Sequence, residues 1–221
     1  PIQVLYKDDL ERRNSLNVAD AVKYFAGISI KDYGGIGGLK TVSVRSLGAN
    51  HTGVMYDGLI MGDAQGGQTD LGKFSLDNLQ EIQLYNDGPS DLLTPARAFS
   101  FSSLLSLKTT SSNLKEPEKS SVAVTLKQGS FGYISPALYI KKHIGQNFKT
   151  GLNAFWQYAN GAYPFLSYEN NQLSEKRNNT DINCYRFEYD AAYTINDSSK
   201  LNFKVYYAAS NRGLPGAIIL Y

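Results

Sequence analysis

The chain has 221 residues, 22 Lys and Arg against 20 Asp and Glu, and an apolar fraction of 42%. That allows one or two ordinary domains with a buried core, and the near-neutral balance excludes the electrostatic footprint that nucleic-acid binding needs. The single cysteine, Cys184, excludes a disulfide framework and a Cys-based zinc site within the chain.

No window of about 18 consecutive apolar residues exists, so no transmembrane helix is predicted. The chain opens on proline without a charged start and an apolar run, which predicts a processed or trimmed amino terminus. Tyrosine outnumbers phenylalanine, 16 to 10, and crowds into the second half. Side chains with an apolar body and a wet tip suit a membrane-water boundary, and an exposed carbohydrate-binding surface equally.

In chain order, Val18, Ala21, Val22 and Phe25 recur at helical spacing behind Asn17, with Gly27 where a helix stops; this predicts a short capped helix. Ile28-Ile30 is extended, Tyr33 to Gly38 is a glycine loop, and Thr41-Val44 and Val54-Tyr56 are strands. Ser75 to Leu79 reads as one capped helical turn before the strand Glu81-Tyr85, and Leu104-Lys108 is a last strand. Together they predict an α+β domain of about a hundred residues.

The polar, Pro-containing stretch Ser111 to Pro117 marks a boundary. Beyond it strict two-residue alternation takes over. Val122, Val124 and Leu126 share a face; then Phe148, Thr150, Leu152, Ala154, Trp156 and Tyr158; then Tyr185, Phe187, Tyr189, Ala191, Tyr193 and Ile195; then Leu201, Phe203, Val205, Tyr207 and Ala209. Ser135 to Ile144 is a weaker strand. The clear runs have about the nine to eleven residues that a tilted strand needs to cross a bilayer. Tight turns at Gly145-Asn147 and Asn196-Lys200 alternate with a long polar loop from Ala159 to Ile182 and another beginning at Asn211. Alternation of this kind builds an outer-membrane barrel or a soluble sandwich.

Val44-Arg45-Ser46, then Tyr56-Asp57-Gly58, then Glu81 followed by Gly88-Pro89, resemble in order and spacing the plug domain of TonB-dependent outer-membrane receptors. Ser46 stands where the family has Gly, Asp87 where Arg is common, and Ala96-Arg97-Ala98-Phe99-Ser100-Phe101 replaces a glycine-rich approach to the last plug strand. The resemblance implies an α+β plug domain over residues 1–112, then, over 118–221, the first five antiparallel strands of a truncated transmembrane β-barrel. Five strands cannot close, so the front end of a larger protein is expected. The energy-coupling segment of the family is not recognisable before Asp8.

The same resemblance implies active uptake of a bulky, scarce solute across the Gram-negative outer membrane, energised by TonB. Ligand would meet the apical loops Tyr33, Gly34, Gly35, Ile36, Gly37, Gly38 and Met61, Asp63, Gln65, Gln68, together with extracellular loops such as the one bearing Tyr163. Arg45 and Glu81, expected as buried strand charges, would couple plug to barrel or form a structural ion pair. The wording Lys31 to Lys40 is similar to the cobalamin-receptor-like branch, making a corrinoid the first ligand expected and an iron-siderophore the second; membrane lipid is a further partner, and a surface lipoprotein is left open.

Residue by residue, Gly34 to Gly38 lacks the spacing of a phosphate loop, and Asp57, Asp63 and Asp70 lack that of a calcium loop. His51 and His143 read as surface histidines. No Ser elbow, His-Glu-x-x-His or close carboxylate pair is legible, so neither catalysis nor a cofactor is expected. The alternative is a soluble or surface-attached β-rich module for carbohydrate or peptide. The row Tyr185, Phe187, Tyr189 and Tyr193 decides: buried against a second sheet in the module, outward in the receptor.

Overall fold

The computed structural model describes residues 2–62, 67–89, 94–110, 120–166, 174–196 and 199–216. It divides into two compact units, Pro1–Glu118 and Lys119–Tyr221. The boundary stretch Ser111 to Pro117 lies outside the described residues. No described helix is long and apolar enough to cross a membrane.

The first unit contains β1 (Ile2–Tyr6), α1 (Lys7–Arg12), α2 (Val18–Val22), β2 (Ile28–Tyr33), β3 (Leu39–Val44), β4 (Thr52–Tyr56), β5 (Leu59–Met61), β6 (Leu79–Tyr85) and β7 (Ser103–Thr109). Five strands form a mixed sheet in the order β1-β6-β7-β4-β5, in which β4 and β7 run parallel; β2 and β3 make a separate hairpin. The helix expected after Asn17 is α2: the Asn17 side chain accepts from the Asp20 amide at 3.0 Å, satisfying a donor that the first turn leaves open. Its buried Val18, Ala19, Ala21 and Val22 join Val42, Val44, Val54, Ile82, Leu84, Leu105 and Leu107 in one core.

Between β4 and β5 the chain reverses at Asp57 and Gly58, with φ 47° and 86°. Left-handed backbone at both central residues is what a two-residue hairpin turn requires, and Asp-Gly supplies it at low cost. Asp57 has a second task. Its carboxylate accepts from the Thr109 amide at 2.7 Å and from Thr109 Oγ1 at 2.8 Å, locking the end of β7 to a turn 52 residues away in sequence. Asp57→Ala loses both bonds and places a Cβ-bearing residue without a local polar partner at positive φ. The expected cost is about 2–4 kcal/mol, read as a lower urea midpoint and faster hydrogen exchange at the Thr109 amide.

The capped turn expected at Ser75 to Leu79 is present as a turn and not as a helix: Ser75 Oγ accepts from the Asp77 amide at 3.1 Å and the Leu79 amide donates to the Leu76 carbonyl at 3.1 Å, while a 3-10 turn precedes it at Leu71–Lys73. A serine oxygen on the amide two residues on satisfies a donor that a first turn leaves open. The short elements β1, α1 and β5 are additions to the sequence reading.

The second unit contains β8 (Ser121–Gly129), β9 (Tyr133–Ile144), β10 (Phe148–Ala159), β11 (Pro164–Leu166), β12 (Ser174–Lys176), β13 (Ile182–Asn196) and β14 (Ser199–Arg212). Its sheet is an up-and-down meander, β8-β9-β10-β13-β14, every pair antiparallel; β11 and β12 form a small hairpin inside the long loop. Residues 145–147, with Asn196 and Ser199, lie at one end of the sheet. Residues 130–132, with the described residues 160–163 and 177–181 that flank β11 and β12, lie at the other.

Register fixes the two faces. Val122, Ile140, Leu152, Tyr189 and Val205 form one line across the sheet, and Ala123, Tyr139, Asn153, Glu188 and Tyr206 the next. The apolar face is the exposed one, with Val124 at 77% and Phe187 and Phe203 at 56% each, while Arg186 and Glu188 on the polar face are 2% and 1% exposed. A water-soluble sandwich has the opposite polarity. An apolar exterior over a polar interior is the pattern of strands that face lipid.

Candidate functional site

The β2-β3 hairpin carries the first candidate loop. Its glycines Gly34, Gly35 and Gly37 have φ of 123°, 71° and 69°, conformations that a Cβ disfavours. Tyr33 projects, 52% exposed, and Ile36 is half-buried. Asp32 shapes the turn: one carboxylate oxygen accepts from the Gly35 amide at 2.8 Å and the other forms an ion pair with Lys40 across the hairpin. Desolvation pushes the Asp32 carboxyl up, but the Lys40 ammonium and the Gly35 and Gly34 amides pull harder, leaving it below its usual range.

A carboxyl lowered on folding contributes stability above its unfolded pKa and loses that contribution as pH falls through the folded value. The Tyr33–Gly38 turn is therefore expected to loosen below the usual carboxylate range and to hold at neutral pH. Asp32→Asn leaves the Lys40 ammonium buried without its counter-charge. We expect a loss of about 1–2 kcal/mol, kept small because the Asp32 side chain is 42% exposed, and faster exchange of the Gly35 amide at neutral pH.

The second candidate loop leaves β5 at Met61 and returns at Asp70. Met61 packs against the core, and its carbonyl accepts from Thr69 Oγ1 at 3.2 Å, closing the base of the loop. Gln68 is half-buried. Asp63 and Gln65 lie outside the described residues. Asp70 joins the two loops: one of its oxygens accepts from the Lys40 amide at 3.0 Å and from the Gly72 amide at 2.9 Å. The bases of the Tyr33–Gly38 and Met61–Asp70 loops are thus one hydrogen-bonded structure, and Asp70, whose place in it the sequence reading missed, carries the junction. The signal was the Asp-x-Gly cap at residues 70–72; its partner 30 residues away was not legible.

Tyr163 belongs to the second unit, 42% exposed, its ring edge-on to Phe131 at 6.2 Å. The long loop around it is tied down at its base, where the Asn160 and Gly161 amides both donate to the Phe131 carbonyl and Thr180 Oγ1 donates to the Gly161 carbonyl. At the same end, on the exposed face of the sheet, Trp156 Nε1 donates to Asn183 at 2.7 Å, with Trp156 and Tyr158 rings 6.1 Å apart and Tyr185 and Tyr207 rings 6.0 Å apart. Amphipathic rings grouped at strand ends are how barrel strands meet the membrane-water boundary.

Of the two residues expected to couple plug to barrel, Arg45 departs from its expected place. Arg45 is not a buried strand charge: β3 ends at Val44, and Arg45 is exposed at φ 51° with its amide donating to the Gly27 carbonyl. Ser46, also left-handed at φ 60°, completes the turn without the family's glycine. Glu81 does sit in a strand, half-buried, 2.6 Å from Lys108 Nζ and accepting from Gln83 at 3.1 Å. His51 is exposed and His143 half-buried. Among the described residues, no group of three His, Cys, Asp or Glu is placed to hold a metal ion.

On the polar face of the meander, Glu188 receives Arg186 at 2.8 Å and Lys204 at 3.1 Å, and the Arg186 guanidinium stands 4.5 Å from the centre of the Tyr206 ring. Gly151 opposes Asp190, and a Cβ there would begin 2.6 Å from Asp190 Oδ1, so the glycine makes room for the carboxylate.

Residues 1–100 match the family model described as the TonB-dependent Receptor Plug Domain. Among solved structures, the fold is similar to the siderophore receptor PirA from Acinetobacter baumannii, with a TM-score of 0.64 and 13% identity over 93% of this chain and 31% of that one. It is similar to the copper transporter OprC (TM-score 0.71, 11% identity, 97% and 32%). It is also similar to the pyoverdine outer membrane receptor FpvA from Pseudomonas aeruginosa PAO1 (TM-score 0.63, 15% identity, 96% and 28%). The chain spans about a third of the length of these receptors.

Proposed function

The chain carries the plug domain of a TonB-dependent receptor, and from that premise we propose that it is part of a transporter that takes up a bulky metal chelate. Its place is the Gram-negative outer membrane. The reading rests above all on the inverted polarity of the meander that follows the plug: Val124 77% exposed, Glu188 1%. A sheet built so is stable where hydrocarbon, not water, covers its outside.

In the first unit, ligand would be recognised by Tyr33, the amides of Ile36 and Gly37, Met61 and Gln68, with Gly34, Gly35 and Gly38 shaping the turn and Asp63 and Gln65 carried from the sequence reading; Tyr163 is proposed separately, as a ligand residue of the long loop of the second unit. Hydrogen-bond donors and one aromatic face, on loops pinned together by Asp70, suit a polar, bulky solute. An iron-siderophore is favoured over the corrinoid suggested by the wording of Lys31 to Lys40, because the compared receptors are named for siderophores and copper. TonB would supply the energy. Arg45, exposed on its strained turn, and Glu81 are the coupling residues of this reading. No catalytic role enters it.

Growth of a deletion strain decides between ligands. Slow growth on limiting iron, with normal growth on limiting cobalamin, is the expected result; the reverse pattern restores the corrinoid, and normal growth under both conditions removes both ligands.

A further inference from the structure

Arg97 stands where the resemblance implies glycine-rich chain. It lies on the 3-10 turn Ala96–Ser100 behind Pro95. The turn is fixed at three points: the Ala98 amide donates to the Pro95 carbonyl at 2.8 Å, Ser100 Oγ donates to the Arg97 carbonyl at 2.8 Å, and the Ala98 side chain is fully buried with Met55 and Leu104. With Ala98 pinned inward, Arg97 is exposed.

Its guanidinium reaches the mouth of the second candidate loop, Nη2 standing 3.8 Å from where a side chain on Gly62 would begin. Among the described residues no carboxylate pairs with it. Of the described acids in the neighbouring loops, Asp32 is committed to Lys40 and Asp70 to two amides; Asp63 lies outside the described residues. A planar, permanently charged fork of donors held on a fixed turn beside a ligand loop is a site for a carboxylate, catecholate or phosphate oxygen.

We propose that Arg97 is a specificity-determining residue that takes an anionic group of the transported chelate, so that the receptor selects negatively charged complexes over neutral ones. The inference rests on the chelate-uptake reading and names its substrate class.

The test is binding to the full-length receptor, followed by quenching of its intrinsic fluorescence, with a trianionic ferric tris-catecholate and a neutral ferric trihydroxamate as probes. Wild type binds the trianionic probe the more tightly. Arg97→Gln weakens it roughly ten- to a hundredfold, the size of one charged hydrogen bond, and leaves the neutral probe unchanged; Arg97→Lys falls between, because charge is kept and the fork is lost. An unchanged melting temperature in both variants shows that the turn still folds. Equal affinity of wild type and Arg97→Gln for the trianionic probe overturns the assignment while chelate uptake stands, as does a wild type that prefers the neutral probe. A wild type that binds neither probe sinks the chelate reading and Arg97 with it.

Discussion

Glu188→Gln is expected to be the most damaging single change in the second unit. The Glu188 side chain is fully buried, and it neutralises two cations at once, Arg186 at 2.8 Å and Lys204 at 3.1 Å, whose side chains are only 2% and 9% exposed. The amide keeps the shape and removes the charge. Both buried cations then lose this counter-charge, and removal of one partner from a buried pair costs about 3–5 kcal/mol. A net attraction of the pair is not required for this result: most of the cost is the altered charge balance at a desolvated site. Consequently Glu188→Leu combined with Arg186→Met should be milder than Glu188→Gln alone, since the double change takes Glu188 from one remaining cation, Lys204, where the single change takes its charge from two. Urea titration of the full-length protein in detergent, followed by tryptophan fluorescence, measures both. A double variant less stable than the single one would mean that the cluster is held by direct attraction rather than by mutual neutralisation.

The polar row illustrates what could be read ahead of the structure. Parity was legible: Arg186, Glu188 and Asp190 had to share one face and Tyr185, Phe187 and Tyr189 the other, because side chains alternate along any strand. Which face is sheltered was not, since a sandwich and a barrel have the same period and differ only in what surrounds them. α2 was legible from its spacing and its Asn17 cap, and β10 and β13 from their length. β9 read as weak because Pro136, Lys141 and Lys142 interrupt its apolar run, yet it extends from Tyr133 to Ile144 with Pro136 opposite Leu126.

The candidate loops were visible as glycine-rich stretches, but their common base was not. It depends on Asp70 reaching the Lys40 amide, a contact set by how β3 and the turn after Asp70 pack and by no local pattern. Arg45 was misjudged for a related reason. The strand pattern predicted a buried charge, and the backbone turns left-handed one residue too early for that. Ala96 to Phe101 departs from the wording of the family, and only the fold places Arg97 beside Gly62.

The outward row supports the second large effect, which separates lipid from water directly. Tyr189 is at the middle of β13, on the line through Val122, Ile140, Leu152 and Val205, and is 39% exposed. If water covered that face, Tyr189→Arg would be a surface substitution, within about 0.5 kcal/mol of neutral. If hydrocarbon covers it, a guanidinium near the bilayer midplane costs about 2–4 kcal/mol, and the cost falls toward zero at the interfaces. Tyr189→Leu removes the ring that lies 6.4 Å from Phe203 without adding charge, so its smaller loss is subtracted as the packing share. Trp156→Arg, at the end of β10 beside the long loop, provides the shallow comparison against Trp156→Leu. The expected order is a large excess for arginine at Tyr189 and little excess at Trp156, measured as unfolding free energy of the full-length protein in lipid vesicles. Equal and small arginine penalties at both depths would return this face to water and leave the exposed aromatic row without a solvent to match it.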